Sequence, residues 1–224
     1  MKIVFSYGGS ILAQEGTGKN FIEKVAGMLE EFSQNHKIAV VVGGGKPARD
    51  AIKIARDNGE SEAACDHIGI LATRDNAQRF LDVLGDCALD VIPETLVDAK
   101  NLFGEKILVM GGTEPGHSTD AVAAILADWI KADILIKASN IDYVYDKNPK
   151  IHSNAKPIKH ISPKEVVSMV AHMESGAGQY ALIDLVAAKV IERAKIKTIV
   201  LDGRDLDNIK NVVAGRPFKG TTIE

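Results

Sequence analysis

Three segments of this 224-residue chain end an apolar run in glycine: Phe5-Ser6-Tyr7-Gly8-Gly9-Ser10, Val41-Val42-Gly43-Gly44-Gly45-Lys46 and Val109-Met110-Gly111-Gly112-Thr113. Glycine lets the backbone approach an anion closely, and successive N–H groups leading into a helix attract phosphate. Any one such turn is also what a tight strand-to-helix connection requires. Three on one plan, with neither G-x-x-x-x-G-K-[ST] nor G-x-G-x-x-G, point to a phosphate binder outside those two motif groups.

The third cluster runs on as Thr113-Glu114-Pro115-Gly116-His117-Ser118-Thr119-Asp120. Its hydroxyls and N–H groups suit an acceptor's phosphate, and Asp120 can orient a cation by accepting its hydrogen bonds. The alternative is an elaborate helix cap, for which one of these side chains would suffice. Lys137 ends a further apolar run, Ile134–Ile136. A lysine there is either at the rim of the site or neutralised by an anion, because an unpaired buried charge is costly. Phosphoryl transfer needs cations around the moving group, which makes Lys137 the first candidate for a catalytic cation. Arg49, one helical turn past the second cluster, is either exposed helix surface or a planar fork for phosphate. Asp66, before an apolar run, reads by itself as a helix cap.

These residues need a scaffold. Strand-type runs occur at Ile3–Phe5, Ile38–Val42, Ala88–Ile92, Ile107–Met110, Ile134–Ile136 and Thr198–Leu201. Helical patterns cover Phe21–Phe32, Pro47–Asp57, Ile70–Leu84, Thr119–Ile130, Pro163–His172 and Leu185–Ala194. The alternation predicts an α/β protein, a three-layer α/β/α sandwich on a mainly parallel central sheet. Ile38-Ala39-Val40-Val41-Val42 has no polar alternation, as in a strand covered on both faces. In parallel sheets ligands gather at the carboxyl ends of strands, where all three glycine turns would meet. Ser118 and Ser162-Pro163 read as helix starts, and the polar stretch Asp146–Lys159 as a loop.

The length suits one domain, residues 1–224. Hydrophobic residues make up 46% and charged residues 25%, and the net charge is −3, so a nucleic-acid partner is not expected. Cys65 and Cys87 lack metal-ligand or disulfide spacing and read as small buried hydrophobes. With no membrane span and no signal peptide expected, the reading is a soluble, cytoplasmic protein.

Taken together, Gly8-Gly9-Ser10, Gly43-Gly44-Gly45-Lys46-x-x-Arg49, Asp66-x-Ile-Gly69-Ile-x-Ala-Thr73-Arg74-x-Asn76-Ala77, the run Met110 to Ala124 and Gly220-Thr221 resemble the amino acid kinase superfamily. Within it they are most similar to archaeal-type UMP kinases. The resemblance implies ATP-dependent conversion of UMP to UDP, with Mg²⁺ accompanying ATP and no residue assigned as a metal ligand. It implies that UMP is held by Gly44, by Asp66 on the ribose, and by Thr113, Glu114, Pro115, Gly116, His117, Ser118 and Thr119. ATP would lie across Gly9, Ser10, Gly45 and Arg49, its adenosine near Ser139, Asn140, Tyr145 and Asn148. Lys137, Asp120 and Arg49 are the catalytic candidates.

The chain departs from the family pattern at Ser6, where many relatives carry lysine, and at Tyr143, Asn148 and Leu185, where glycine, aspartate and proline are usual. Tyr143 either crowds the nucleotide loop or stacks on a base. The resemblance further implies a hexamer assembled from dimers, with Phe21, Val25, Met28, Leu29 and Phe32 serving either a dimer face or the core. Two other readings keep the scaffold: a kinase for a different small acceptor, and a non-catalytic nucleotide or oxyanion binder.

Overall fold

The computed structural model describes residues 1–12, 18–149, 151–173 and 183–224. Its elements in chain order are β1 (Lys2–Tyr7), α1 (Gly9–Leu12), α2 (Gly18–Ser33), β2 (Lys37–Val42), α3 (Gly45–Asp57), α4 (Glu62–Leu84), α5 (Leu96–Leu102), β3 (Leu108–Met110) and α6 (Thr119–Ile130). There follow β4 (Ile134–Ser139), β5 (Val144–Tyr145), β6 (Pro157–Ile158), β7 (His160–Ile161), α7 (Pro163–Met173), α8 (Leu185–Ala194), β8 (Thr198–Asp202), α9 (Leu206–Val213) and β9 (Thr221–Ile223).

Seven strands form one sheet in the order β3-β2-β1-β4-β8-β9-β7. Every pairing in it is parallel except β8 with β9. The pleat sends alternate side chains to opposite faces. Ile3, Phe5 and Tyr7 therefore join a core with Val25, Leu29 and Phe80, whereas Val4 joins another with Ala121, Leu126 and Val190. Each fully buried side chain of this size contributes about 1.5–3 kcal/mol relative to exposure. The result is the expected α/β/α arrangement, with α2, α4 and α9 against one face and α6, α7 and α8 against the other.

Several local expectations are corrected. Ala88–Ile92 is not a strand: Ala88 makes only a single bridge to Ile107, and Val91 is 45% exposed. Asp90 interrupts that apolar run and Pro93 closes it, so no ladder forms, although Ala88 and Ile92 still pack on one core and Leu89 on the other. The helix expected from Ile70 begins two turns earlier, at Glu62, capped by Ser61, whose Oγ accepts the Ala64 N–H. Asp66 is consequently inside α4 and is not its cap. The extra turns were hidden because their outer face is polar and Gly69 interrupts them. Helices α5 and α9 were also missed, although Thr95 and Asp205 cap them through the N–H groups of Asp98 and Asn208.

Val25, Met28, Leu29 and Phe32 are buried within the chain, so they serve the core and not a dimer face. The stretch Asp146–Lys159 is in part a hairpin: Val144–Tyr145 pairs antiparallel with Pro157–Ile158, and Asp146 donates its N–H to the Lys156 carbonyl. Residue 150 of that stretch lies outside the described residues.

Candidate active site

The glycine turns leave the carboxyl ends of β1, β2 and β3, three adjacent strands. The first two touch backbone to backbone. Gly43 donates its N–H to the Tyr7 carbonyl at 2.9 Å, and a Cβ at Gly9 would lie 2.1 Å from the Gly43 oxygen. Gly45 holds φ at +65°, which costs a side-chain-bearing residue roughly 1–2 kcal/mol. Glycine at 9 and 45 is thus required by close approach and by backbone conformation respectively.

Between the second and third turns lies a cavity of about 250 Å³. Gly44, Gly45, Arg49, Asp66, Gly112, His117, Ser118 and Thr119 line it, with Ala48, Ile52, Gly69, Ile70 and Thr73 completing the wall. The N-terminal ends of α3 and α6 both border it, and their partial positive charge favours an anion there. Two side-chain atoms of the third turn, Thr113 Oγ1 and His117 Nδ1, are buried with no hydrogen-bond partner among the described residues. Leaving such groups unpaired costs about 1–3 kcal/mol each, a cost a polar ligand would remove. Asp66 reaches the same turn from α4, its Oδ2 accepting the Gly116 N–H at 2.8 Å.

Asp120, in the first turn of α6, receives two donors from the sheet. Ser6 Oγ is 2.5 Å from Oδ1, and Lys137 Nζ bonds both carboxylate oxygens, Oδ2 at 2.5 Å. The Lys137 and Asp120 side chains are 14% and 15% exposed, so the lysine is neutralised by an anion within the protein. Beside them Ser118 caps α6 through the N–H groups of Asp120 and Ala121, and its hydroxyl donates to Asp184 Oδ2. Asp184 in turn caps α8, so one hydrogen bond joins the starts of two helices.

Ser139, Asn140, Tyr145 and Asn148 stand across β1 from this cavity, at and beyond the carboxyl end of β4. Ser10 lies in α1, next to the first turn. The Ser139 hydroxyl donates to the Ile141 carbonyl and accepts its N–H, both at 3.2 Å. Tyr145 donates its hydroxyl to Asp142 at 2.9 Å; burial and then this carboxylate push the phenol up to about 12. Tyr143 meets Tyr145 edge-on, with ring centroids 6.4 Å apart. Asn148 offers its backbone carbonyl to the N–H groups of Ile151 and His152.

A larger groove, about 590 Å³, opens at the other end of the sheet among Met1, Lys2, His36, Lys37, Glu105 and Asp133. It holds no glycine turn, and it borders the carboxyl ends of α2 and α6, whose partial negative charge disfavours phosphate. Lys37 pairs with Glu105 there, and Asp133 accepts the Lys2 N–H. We therefore place the site at the glycine turns.

The residues that sequence reasoning left without a role are on α4. Thr73 Oγ1 accepts the Gly112 N–H at 2.7 Å, Arg74 Nε donates to the Gly112 carbonyl at 3.2 Å, and Asn76 Nδ2 donates to the Gly43 and Gly44 carbonyls. Their signal was present: polar residues at helical spacing on a face otherwise made of Ile70, Ala77 and Phe80.

Comparison with known proteins gives a consistent result. The family model described as "Amino acid kinase family" matches residues 1–202. The uridylate kinase of Archaeoglobus fulgidus is 45% identical over 224 residues, covering all of both chains. That of Methanobrevibacter smithii is 43% identical, covering 100% of this chain and 99% of its own. The crystal structure of uridylate kinase from Archaeoglobus fulgidus superposes with a TM-score of 0.89 at 44% identity, with both chains fully covered. UMP kinase from Ureaplasma parvum, at 22% identity and a TM-score of 0.81, shares the fold.

Proposed function

The chain belongs to the amino acid kinase family, and from that premise we infer that it transfers the γ-phosphoryl group of ATP to UMP, giving ADP and UDP. The observation that carries this reading is full-length similarity above 40% to uridylate kinases, on a chain whose third glycine turn presents two unpaired polar atoms. We assign the cavity between the second and third turns to UMP. Gly44 would contact it, the turn from Thr113 through Glu114, Pro115, Gly116, His117, Ser118 and Thr119 would hold its base and phosphate, and Asp66 its ribose. ATP would lie across Gly9, Ser10, Gly45 and Arg49 toward Ser139, Asn140, Tyr145 and Asn148.

In the reaction a UMP phosphate oxygen attacks the γ-phosphorus in line, and the bond to the β–γ bridging oxygen breaks. That attacking oxygen is already anionic at neutral pH, so no general base is needed. Gly9, Gly44 and Gly45 supply backbone N–H donors around the transferring group, Arg49 a cationic fork, and Asp120 the anchor that fixes Lys137. Among the described residues no cluster of His, Cys, Asp and Glu forms a metal cage. By resemblance to the family, Mg²⁺ would accompany ATP and neutralise charge developing on its phosphates.

The same reading extends to a homo-oligomer, hexameric by resemblance to the family, and to the cytoplasm. Among the described residues no helix is long and apolar enough to cross a membrane. A solution mass measurement tests the first. The function itself is tested by following ADP with ATP, Mg²⁺ and a panel of nucleoside monophosphates and small acids. Turnover with UMP alone supports it. Turnover only with another acceptor, or nucleotide-induced stabilisation without turnover, replaces it with a different kinase or a binding protein.

A further inference from the structure

Asn76 lies in the third quarter of α4, 9% exposed, where an amide has no bulk water to bond. Its Nδ2 is 3.0 Å from the Gly43 oxygen and 3.1 Å from the Gly44 oxygen. Only the two-donor end of the amide can face two carbonyls, so the chemistry sets its orientation. A buried asparagine among Ile70, Ala77 and Phe80 is a costly choice if helix packing is its only task, since an apolar residue would fill the space without polar desolvation.

The two carbonyls it grips belong to successive peptide units. In a planar trans peptide the carbonyl oxygen and the following N–H point in opposite directions. Drawing the Gly43 and Gly44 oxygens toward α4 therefore turns the N–H groups of Gly44 and Gly45 the other way. Both glycines line the cavity, at the N-terminal end of α3. The Gly44 carbonyl also accepts the Ala48 N–H of α3, at 3.4 Å, and the Gly43 carbonyl is held from α4 by Asn76. The first turn packs on the same peptides, a Cβ at Gly9 meeting the Gly43 oxygen at 2.1 Å and the Gly45 nitrogen at 2.5 Å.

We propose that Asn76 is a positioning residue for phosphoryl transfer: its two hydrogen bonds fix the Gly43 and Gly44 peptide planes so that successive backbone N–H groups are aimed at the group in flight. The inference rests on the kinase reading above. Donors aimed in advance at developing charge act mainly on the transition state, and small misplacement of such groups costs on the order of 10²-fold. Ground-state UMP, held largely by the third turn and Asp66, would be affected far less.

The test uses the full-length chain with ATP, Mg²⁺ and UMP, comparing the parent with Asn76→Asp, which keeps the size but removes both donors, and Asn76→Ala. Turnover of UMP by the parent is established first; its failure sinks the kinase reading and not this assignment in particular. Given parental turnover, the expected result is a fall in kcat of roughly 10²-fold for both variants, with the UMP KM within about threefold of the parent. A kcat within about threefold of the parent overturns the proposal, as does a loss confined to KM. If neither variant folds, it is overturned as well, because the bonds then hold the fold and not the transition state.

Discussion

Ser6 and Lys137 stand opposite one another in the register of β1 and β4, and both donate to the carboxylate of Asp120. The arrangement predicts an asymmetric response to mutation. Asp120→Ala leaves Lys137 with an unpaired charge in a mostly buried place and should destabilise the protein by about 3–5 kcal/mol in urea unfolding. Ser6→Ala removes one of the two donors and should cost about 1 kcal/mol.

Lys137→Ala tests the lysine's chemistry. If it stabilises the transition state, steady-state kinetics will show kcat reduced about 10²- to 10³-fold with the UMP KM nearly unchanged. Equal losses in kcat and in UMP affinity would sink that role.

Thr113→Val replaces an unpartnered buried hydroxyl with a methyl of similar shape. The ligand-free protein should gain about 1 kcal/mol in denaturant unfolding, because an unsatisfied polar group is gone. UMP affinity should fall about tenfold, seen as a smaller rise in melting temperature at fixed UMP. A variant that loses stability and keeps its affinity would remove Thr113 from the acceptor site.

Two glycine substitutions should act in opposite directions. Gly9→Ala drives a methyl into the Gly43 carbonyl, which is backbone and cannot step aside, so circular dichroism melts should show a loss of about 1–3 kcal/mol or more. Gly27 lies inside α2 with nothing near its missing Cβ. There Gly27→Ala should raise stability by about 0.5–1 kcal/mol.

Tyr145 gives a prediction in pH. Its phenol is held above the ordinary value of 10, at about 12, by burial and then by Asp142. Between these values the folded state keeps a proton that the unfolded state has lost, so this contribution to stability is complete below pH 10 and is lost as pH rises toward 12. The difference in phenolate ultraviolet absorbance between the parent and Tyr145→Phe should show one titration near 12. Asp142→Asn should move it back toward 10. An unchanged titration in Asp142→Asn would remove the carboxylate from the explanation.

How much of this was legible beforehand follows the range of the interactions. The sandwich was readable because uninterrupted runs such as Ile38–Val42 match strands covered on both faces, and α6 was bounded correctly because Ser118 and Thr119 announce its start. Ala88–Ile92 misled because an apolar run predicts a strand only where a neighbour accepts its ladder, and that run has one bridge. The start of α4 and the short α5 and α9 escaped because helices held at one end by a cap, or by tertiary contact, need no strong periodicity of their own.

The sequence by itself determined the kind of chemistry: three strand-ending glycine turns, their different continuations, and the superfamily these resemble. Those signals are local, since turn geometry and anion-binding N–H groups depend on residues a few positions apart. What only the tertiary structure decided is which residues act on which. Asp120 meets Ser6 across 114 positions, Ser118 meets Asp184 across 66, and Asn76 reaches back 33 to Gly43. Such pairs are set by the packing of helices on a sheet, and no spacing along the chain encodes them. The glycine turns suggest a phosphate site; in the fold Asn76 of α4 holds the Gly43 and Gly44 carbonyls, and Thr73 and Arg74 hold the Gly112 peptide.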